Sequence, residues 1–290
     1  MKCFYHTDND GFCAGSLVAI YHQIFKPEVD FKESDFIKYN YDGDIPFDRL
    51  TKGETVYFVD LSFKVSEYEI VKRLMTDYDF VWLDHHSSSM DLLKAHPELD
   101  EIKGIRSTEV SGAYLTYMYL WDIRTLGEVP YYVKLVSDYD TWTFDYGDQS
   151  TYFYLGTNTE DNFTCFSKLW TDLFYDAEKV LKIIEKGKVI KNFVDVENAR
   201  YLKAYGYESE IDGHKCYVVN KSSNSWIFGD KYYEYPLVVV WTYDGKKYKY
   251  TLYSSDPNVN CQKIAEKFGG GGHKGAAGFT SSRLLLMNFK

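Results

Sequence analysis

Two short stretches concentrate groups that could bind metal or move protons. In HTDNDG, an imidazole and two carboxylates occupy alternate positions, so in an extended segment leaving a strand His6, Asp8 and Asp10 can point to one side. In DHH, three consecutive metal-capable groups, Asp84, His85 and His86, follow the apolar run FVWL, and such groups cannot all be buried without partners. Asp60 ends another apolar run, and Asp138 lies in SDYD, where position alone does not separate it from Asp140. Each has a plainer reading: Asp-Gly is common in turns, an aspartate after a strand often caps the next helix, paired histidines occur on surfaces, and Asp138 or Asp140 can simply cap a turn. If the groups converge, they offer imidazole and carboxylate without thiolate. That donor set suits manganese or a similar borderline ion, with magnesium or cobalt as alternatives. Two such ions about 3.5 to 4 Å apart can share a hydroxide nucleophile and hold a phosphoryl oxygen for in-line displacement.

The elements that must position these groups follow one grammar. KCFYH is a short apolar run that stops at His6, a turn follows, and GSLVAIYHQIF spaces its apolar residues as a helix does. ETVYFVDLS stops at Asp60 before a helical EYEIVKRLM, and DFVWLDHH stops at Asp84. Repeated strand and helix units predict a parallel sheet, and in open parallel sheets ligands gather outside the carboxyl ends of the strands. A helix is expected to begin near Ser107 to Ser111 and to carry GAYLTYMYLW, and another, VPYYVKLVSD, delivers Asp138 just before the aromatic turn YDTW. From Asp176 to Ala204 the apolar residues keep helical spacing among many charges, which predicts a long connecting helix and a domain junction. Beyond it, Asp212-Gly213 and Asp244-Gly245 are hairpin signals between alternating segments. The helical VNCQKIAEKF then runs into GGGGHKGAAGF, whose glycines can bring backbone N–H groups close to a phosphate, with His273 and Lys274 adding polar contacts.

In order and spacing, HTDNDG, FVDLS, VWLDHH and VSDYD, followed by FGGGGHKGAAGF, together resemble the DHH phosphoesterase family with its C-terminal DHH-associated domain, the RecJ-like superfamily. The motifs span nearly the whole chain. The resemblance implies an α/β protein with an N-terminal parallel-sheet catalytic domain (1–175), a connecting helix (176–205) and a smaller C-terminal α/β substrate-binding domain (206–290), with the active site in the cleft between them. It implies two divalent ions, manganese first, with His6, Asp8 and Asp60 on one and Asp10, Asp60, His85 and Asp138 on the other, Asp60 bridging. Asp84 is then expected to anchor the histidine pair, with direct approach to a metal as the alternative, and His86 to contact substrate, both as catalytic residues. Gly270, Gly271, Gly272, His273 and Lys274 are expected at the substrate's phosphate or terminal nucleotide. Many family members carry an arginine before a serine on the preceding strand, whereas this chain has Tyr253 before Ser254. That spelling points to the oligoribonuclease or cyclic-nucleotide phosphodiesterase branch, with Tyr253 and Ser254 at the substrate.

Composition bounds the substrate. The 290 residues carry 33 Lys and Arg against 43 Asp and Glu, a formal charge of -10, which does not suit a protein that coats long duplexes. The five cysteines are scattered singly with no CxxC pair, which argues against a zinc ribbon and for core thiols. No stretch of about 18 uncharged apolar residues is present, and the first residues turn acidic at once, so a cytoplasmic protein without membrane contact is expected. The leading expectation is release of nucleoside monophosphates from very short RNA. The alternatives are cleavage of a cyclic mono- or dinucleotide, removal of phosphate from a nucleotide bisphosphate, and a nucleotide-binding sensor without turnover. A homodimer is compatible with the resemblance. Tyr139, Trp142 and Tyr253 are candidates to stack on bases. His22, His96 and His214 fall outside every motif and read as ordinary surface or core residues.

Overall fold

The structure, a computed structural model, describes residues 1–41, 43–121, 128–272 and 274–286. It forms two compact units, Met1–Ile190 and Lys191–Lys290, so the division falls inside one long helix. The first unit runs β1 (Lys2–Tyr5), α1 (Asn9–Phe25), β2 (Phe36–Lys38), β3 (Thr55–Val59), α2 (Tyr68–Asp77), β4 (Asp79–Leu83), α3 (Ser87–Ala95), α4 (Gly112–Leu120), α5 (Tyr131–Asp140), α6 (Asp148–Thr157), α7 (Lys168–Tyr175) and the start of α8 (Ala177–Tyr205). Its sheet has the order β2-β1-β3-β4 and every pairing is parallel.

Strand periodicity explains why both faces of this sheet are covered. Phe4, Val56, Phe58, Phe80 and Trp82 point into one core with Val71 and Leu74 of α2 and Leu92 of α3. Cys3, Tyr5, Tyr57, Val59, Val81 and Leu83 point into the other, against α1 and the helices α4 to α8. Successive side chains alternate between faces, so near-continuous apolar runs are what a doubly covered parallel sheet needs. Helix α1 is central: it packs on β1, α4, α5 and α7 and is buried almost all round from Asp10 to Ile20. Trp82 is fully buried, and its Nε1 donates to Leu61 O at 2.8 Å, tying β4 to the chain that leaves β3. Removing that ring would cost about 3 to 5 kcal/mol and free the segment next to Asp60.

The register places the functional motifs in one row. Tyr5 pairs with Val59, and Val59 with Leu83, so His6, Asp60 and Asp84 follow side by side at the carboxyl edge. An extended segment the sequence did not announce lies beside β4, bridging Val81 to Lys103 and Asp84 to Arg106. Helix α4 begins at Gly112, with Ser111 as its cap.

In the second unit, β5 (Tyr207–Ile211), β6 (His214–Asn220), α9 (Lys231–Glu234), β7 (Leu237–Tyr243), β8 (Tyr248–Tyr253), α10 (Cys261–Lys267), β9 (Gly271–Gly272) and β10 (Ala276–Ser281) follow the end of α8. The sheet order is β5-β6-β7-β8-β10-β9, antiparallel except for β6 with β7. Asp212 and Gly213 both hold positive φ, 52° and 79°, as the tight turn between β5 and β6 requires. One face packs Cys216, Val218, Leu237 and Val239 against α10, and the other packs Val219, Val238 and Val240 against Ile227 and Phe228. All five cysteines are buried and free, and among the described residues no helix is long and apolar enough to cross a membrane.

Candidate metal centre

Each strand end hands over to a loop that aims its polar residues at one point. After β1, Asp8 caps α1 through Oδ1, which accepts from Gly11 N at 2.9 Å, while its Oδ2 lies 2.7 Å from His6 Nδ1. Capping through one oxygen therefore leaves the other directed at His6. Asp10, on the first turn of α1, accepts from Ser111 Oγ (2.5 Å), Gly112 N (2.7 Å) and Ala113 N (3.0 Å) at the start of α4. Those donors and the helix dipole fix its charge in place. After β3, Asp60 adopts φ 56°, a left-handed conformation that an aspartate tolerates better than most residues. Gly112 makes room for it: a Cβ there would lie 2.6 Å from Asp60 Cβ and 3.0 Å from Asp10 Oδ2.

Asp60 is the hub. Its Oδ2 lies 3.6 Å from His6 Nδ1, and its Oδ1 lies 3.3 Å from His85 Nε2 and 4.0 Å from His86 Nδ1. His85 Nε2 also approaches Asp140 Oδ2 at 3.2 Å and Asp10 Oδ2 at 3.9 Å. Three overlapping donor sets result among the described residues: His6, Asp8 and Asp60; Asp60, His85 and His86; and Asp10, His85 and Asp140. Asp60 is 1% exposed, yet among the described residues neither of its oxygens has a hydrogen-bond partner, while His6 Nδ1 faces Asp8 Oδ2 at 2.7 Å and Asp60 Oδ2 at 3.6 Å. Buried polar atoms are almost always satisfied, so orphaned carboxylate oxygens facing imidazole nitrogens are what a cation would complete. The donors are nitrogen and oxygen only, which fits a hard or borderline divalent ion.

The electrostatics agree. Burial, followed by the charge of Asp10, pushes the Asp60 carboxyl well above the usual carboxylate range. Burial and Asp10 likewise push Asp140 up to about 8, with His85 acting in the opposite sense. Burial alone would lower the His6 pKa, but the carboxylates of Asp60 and Asp8 outweigh it and hold the imidazole up to about 10. Crowded carboxylates that retain protons are those that positive charge would relieve.

Asp138 does not join this cluster, which corrects the ligand set that the resemblance implied. Its carboxylate accepts from Thr143 Oγ1 (2.8 Å), Asp145 N (2.7 Å), Tyr146 N (3.2 Å) and the Ser150 hydroxyl. Burial would raise its pKa, but the donors from Ser150, Thr143, Asp145 and Tyr146 outweigh it and keep it below the usual range. Both oxygens are occupied in shaping the turn after α5. Two residues on, at the last position of α5, Asp140 faces His85 instead.

Asp84 is fully buried and accepts from His86 Nδ1 at 2.7 Å and from the Ser89 hydroxyl. Nδ1 of His86 is thereby engaged, which leaves Nε2 as the outward nitrogen of a half-exposed ring. Sequence reasoning missed Asn40, whose Oδ1 lies 3.1 Å from His6 Nε2 and so orients that ring with Nδ1 toward Asp60. It also missed the Ser111-Gly112 cradle of Asp10. A serine and glycine opening a helix was the available signal for the cradle, and nothing marked Asn40.

In the second unit, Gly271 and Gly272 form an edge strand on Gly278 and Ala277. Gly270 must be glycine because a Cβ would lie 2.1 Å from Gly278 O, and Gly272 holds φ 142°. Lys274 is exposed and its carbonyl accepts from Cys261 N, while His273 lies outside the described residues. Tyr253 ends β8, part-buried against the Val219 face. The Ser254 hydroxyl donates to Pro236 O (2.6 Å) and accepts from Asp256 N (3.1 Å). Ser254 is thus engaged in holding its own turn.

Residues 229–288 match the DHHA1 domain family. Protein R106 of Acanthamoeba polyphaga mimivirus, uncharacterized, is 26% identical over 244 residues, covering 80% of this chain and 54% of that protein, so the chain spans about half the length of that curated relative. Among solved structures, PggH from Vibrio cholerae, a pGpG-specific phosphodiesterase, aligns with 97% of this chain and 94% of its own at TM-score 0.56 and 13% identity. A DHH domain from a member of the s1p family of ribosomal proteins aligns with 95% of this chain and 81% of its own at TM-score 0.54 and 13% identity. At such identity the two structures speak for the fold, a DHH-type parallel sheet followed by a second α/β unit. Residues 229–288 thus match the DHHA1 domain, and the chain as a whole shares the fold of these DHH-type structures.

Proposed function

We propose that the protein is a metal-dependent phosphodiesterase that hydrolyses short oligoribonucleotides to nucleoside monophosphates. The observation that carries the reading is Asp60, a buried carboxylate with two orphaned oxygens, each facing a different set of imidazole and carboxylate donors. His6, Asp8 and Asp60 would hold one divalent ion, and Asp10, Asp60, His85 and Asp140 a second, manganese being the first choice. When bound, such ions supply Lewis acidity toward a phosphoryl oxygen and lower the pKa of water.

The chain's own groups do the remaining work. Ser111, Gly112 and Ala113 hold Asp10, and Asn40 holds His6, so the ligand cage is set before substrate arrives. Asp84 fixes His86 through Nδ1, and His86 Nε2 then donates to the phosphoryl or leaving oxygen as charge develops there. Gly271, Gly272, Lys274 and Tyr253 of the DHHA1 domain, with His273, are the proposed contacts for a substrate phosphate or terminal nucleotide.

The acidic chain favours a short substrate over a long duplex. The likeness of fold to PggH, which acts on the dinucleotide pGpG, supports the dinucleotide end of that range. A manganese-dependent hydrolysis panel of di- to pentaribonucleotides, longer RNA, DNA, cyclic dinucleotides and nucleotide bisphosphates tests the reading, with Asp140→Ala as control. Cleavage of the shortest linear RNAs with release of monophosphates is expected. Cleavage of only the cyclic compounds would assign the protein to cyclic-nucleotide hydrolysis, and tight binding without turnover would make it a sensor.

A further inference from the structure

Beside the cluster, a pocket opens within the first unit. Asp8, Asp10 and Asp140 belong to both the cluster and the pocket wall. The rest of the lining is of another kind: Leu135, Val136 and Tyr139 of α5 with Phe153 and Tyr154 of α6. Tyr139 and Tyr154 stack face to face, ring centroids 4.0 Å apart and planes 11° from parallel. Asn9, also in the lining, has its amide engaged on both sides, accepting from Asn162 Nδ2 at 3.0 Å and donating to Thr157 Oγ1 at 2.9 Å. Apart from the two tyrosine hydroxyls, the polar groups of the lining are the engaged Asn9 and the acidic Asp8, Asp10 and Asp140, and the rest is apolar and aromatic. Such a wall repels a second phosphate and accepts a flat, uncharged ring.

The chain next to the pocket is strained in a way that continues this surface. Trp142 tilts against Tyr139 at 6.2 Å and meets Phe144 edge-on at 5.4 Å, and both Trp142 and Phe144 hold positive φ, 58° and 54°. Bulky residues avoid that conformation, and where it persists it is enforced by the surroundings and clusters at ligand sites. Here the enforcing group is Asp138, whose carboxylate collects the donors of residues 143 to 150. One short segment thus carries Asp140 at the cluster, Tyr139 in the pocket and Trp142 beyond it.

We propose that this pocket takes the nucleobase of the nucleotide whose phosphate lies at the cluster, with the base against the Tyr139–Tyr154 pair. The inference rests on the phosphodiesterase reading, since that reading puts a nucleotide phosphate beside Asp60. Base-on-aromatic stacking tolerates any base, so the pocket confers preference for nucleotides over base-free phosphate esters without selecting a sequence.

The test compares adenosine monophosphate with ribose 5-phosphate, which share sugar and phosphate and differ in the base, by calorimetry with manganese present. Adenosine monophosphate should bind the wild type about tenfold more tightly. Tyr154→Leu, which keeps bulk but not the ring, should reduce that preference to about twofold or less, leaving ribose 5-phosphate unchanged, and Tyr154→Phe should retain it. Equal binding of the two ligands by the wild type, or parallel weakening of both in Tyr154→Leu, overturns the proposal. Hydrolysis of a diribonucleotide is read separately. A protein that prefers the base-bearing ligand but never cleaves loses the hydrolase reading and keeps the subsite, and one that cleaves without that preference does the reverse.

Discussion

Asp60 and Asp138 are both buried aspartates of the first unit, and they differ in what surrounds them. Asp138 receives four donors from the turn after α5 and titrates below the usual range. Asp60 receives none on its oxygens and titrates well above it. A buried carboxylate saturated with donors is a structural knot, whereas one facing only imidazoles and other carboxylates is stable in water only by holding a proton or a cation. The comparison separates the two aspartates where motif order alone does not.

The largest effect that can break this comparison is at the hub. Asp60→Asn should lower turnover by about 1,000-fold or more and abolish manganese binding in calorimetry, with the fold intact by circular dichroism. Retained metal binding would remove Asp60 from its place. Next comes the exchange of roles between neighbours. Asp140→Ala should lower turnover by about 100-fold or more without lowering the melting temperature, because it removes a carboxylate that is costly to ionise. Asp138→Ala should instead lose about 2 kcal/mol or more of stability through its unsatisfied donors, read as an early denaturant midpoint, and lose activity only through the displaced turn. Equal behaviour of the two variants would erase the distinction.

A smaller effect is expected at Asn40. Asn40→Ala frees the His6 ring, and manganese affinity should fall by about 10- to 100-fold with no change in stability. The smallest effect is in pH. Asp60 and Asp140 have folded pKa values raised above the unfolded value of about 3.9, so what they contribute is fully present below that value and is lost as pH rises, for Asp140 through about 8. His6, raised to about 10, acts in the same direction: its contribution is fully present below about 6.5 and is lost as pH rises through about 10. Asp138, lowered, contributes above about pH 4 and loses it under acid. The metal-free melting temperature should therefore fall by a few degrees from pH 6 to pH 9, and manganese should stabilise more at pH 8 than at pH 6. A flat profile in scanning calorimetry would contradict the crowding of carboxylates.

Much of this was legible in the sequence because apolar periodicity and its interruptions are local. The alternation of Cys3 and Tyr5 against Phe4 marks a strand covered on both faces, and the polar residue ending each run, His6, Asp60 or Asp84, falls at the strand's carboxyl end. Asp212-Gly213 marks its hairpin because few other dipeptides accept two positive φ values. The choice between Asp138 and Asp140 was not legible. It depends on donors at residues 143, 145, 146 and 150, which only the folded turn brings to one carboxylate. Asn40 was invisible, and Gly112 was marked only by its place at a helix start, for a related reason: a lone asparagine after a strand and a glycine opening a helix acquire their meaning from His6 and Asp60 across the fold.

Anomalous diffraction at the manganese edge, from crystals grown with the ion, tests the assignment of Asp60 most directly. Two peaks are predicted, both in contact with Asp60, one shared with His6 and Asp8 and the other with Asp10, His85 and Asp140, and none at Asp138. A peak coordinated by Asp138, or a centre that leaves Asp60 without a metal, would contradict it.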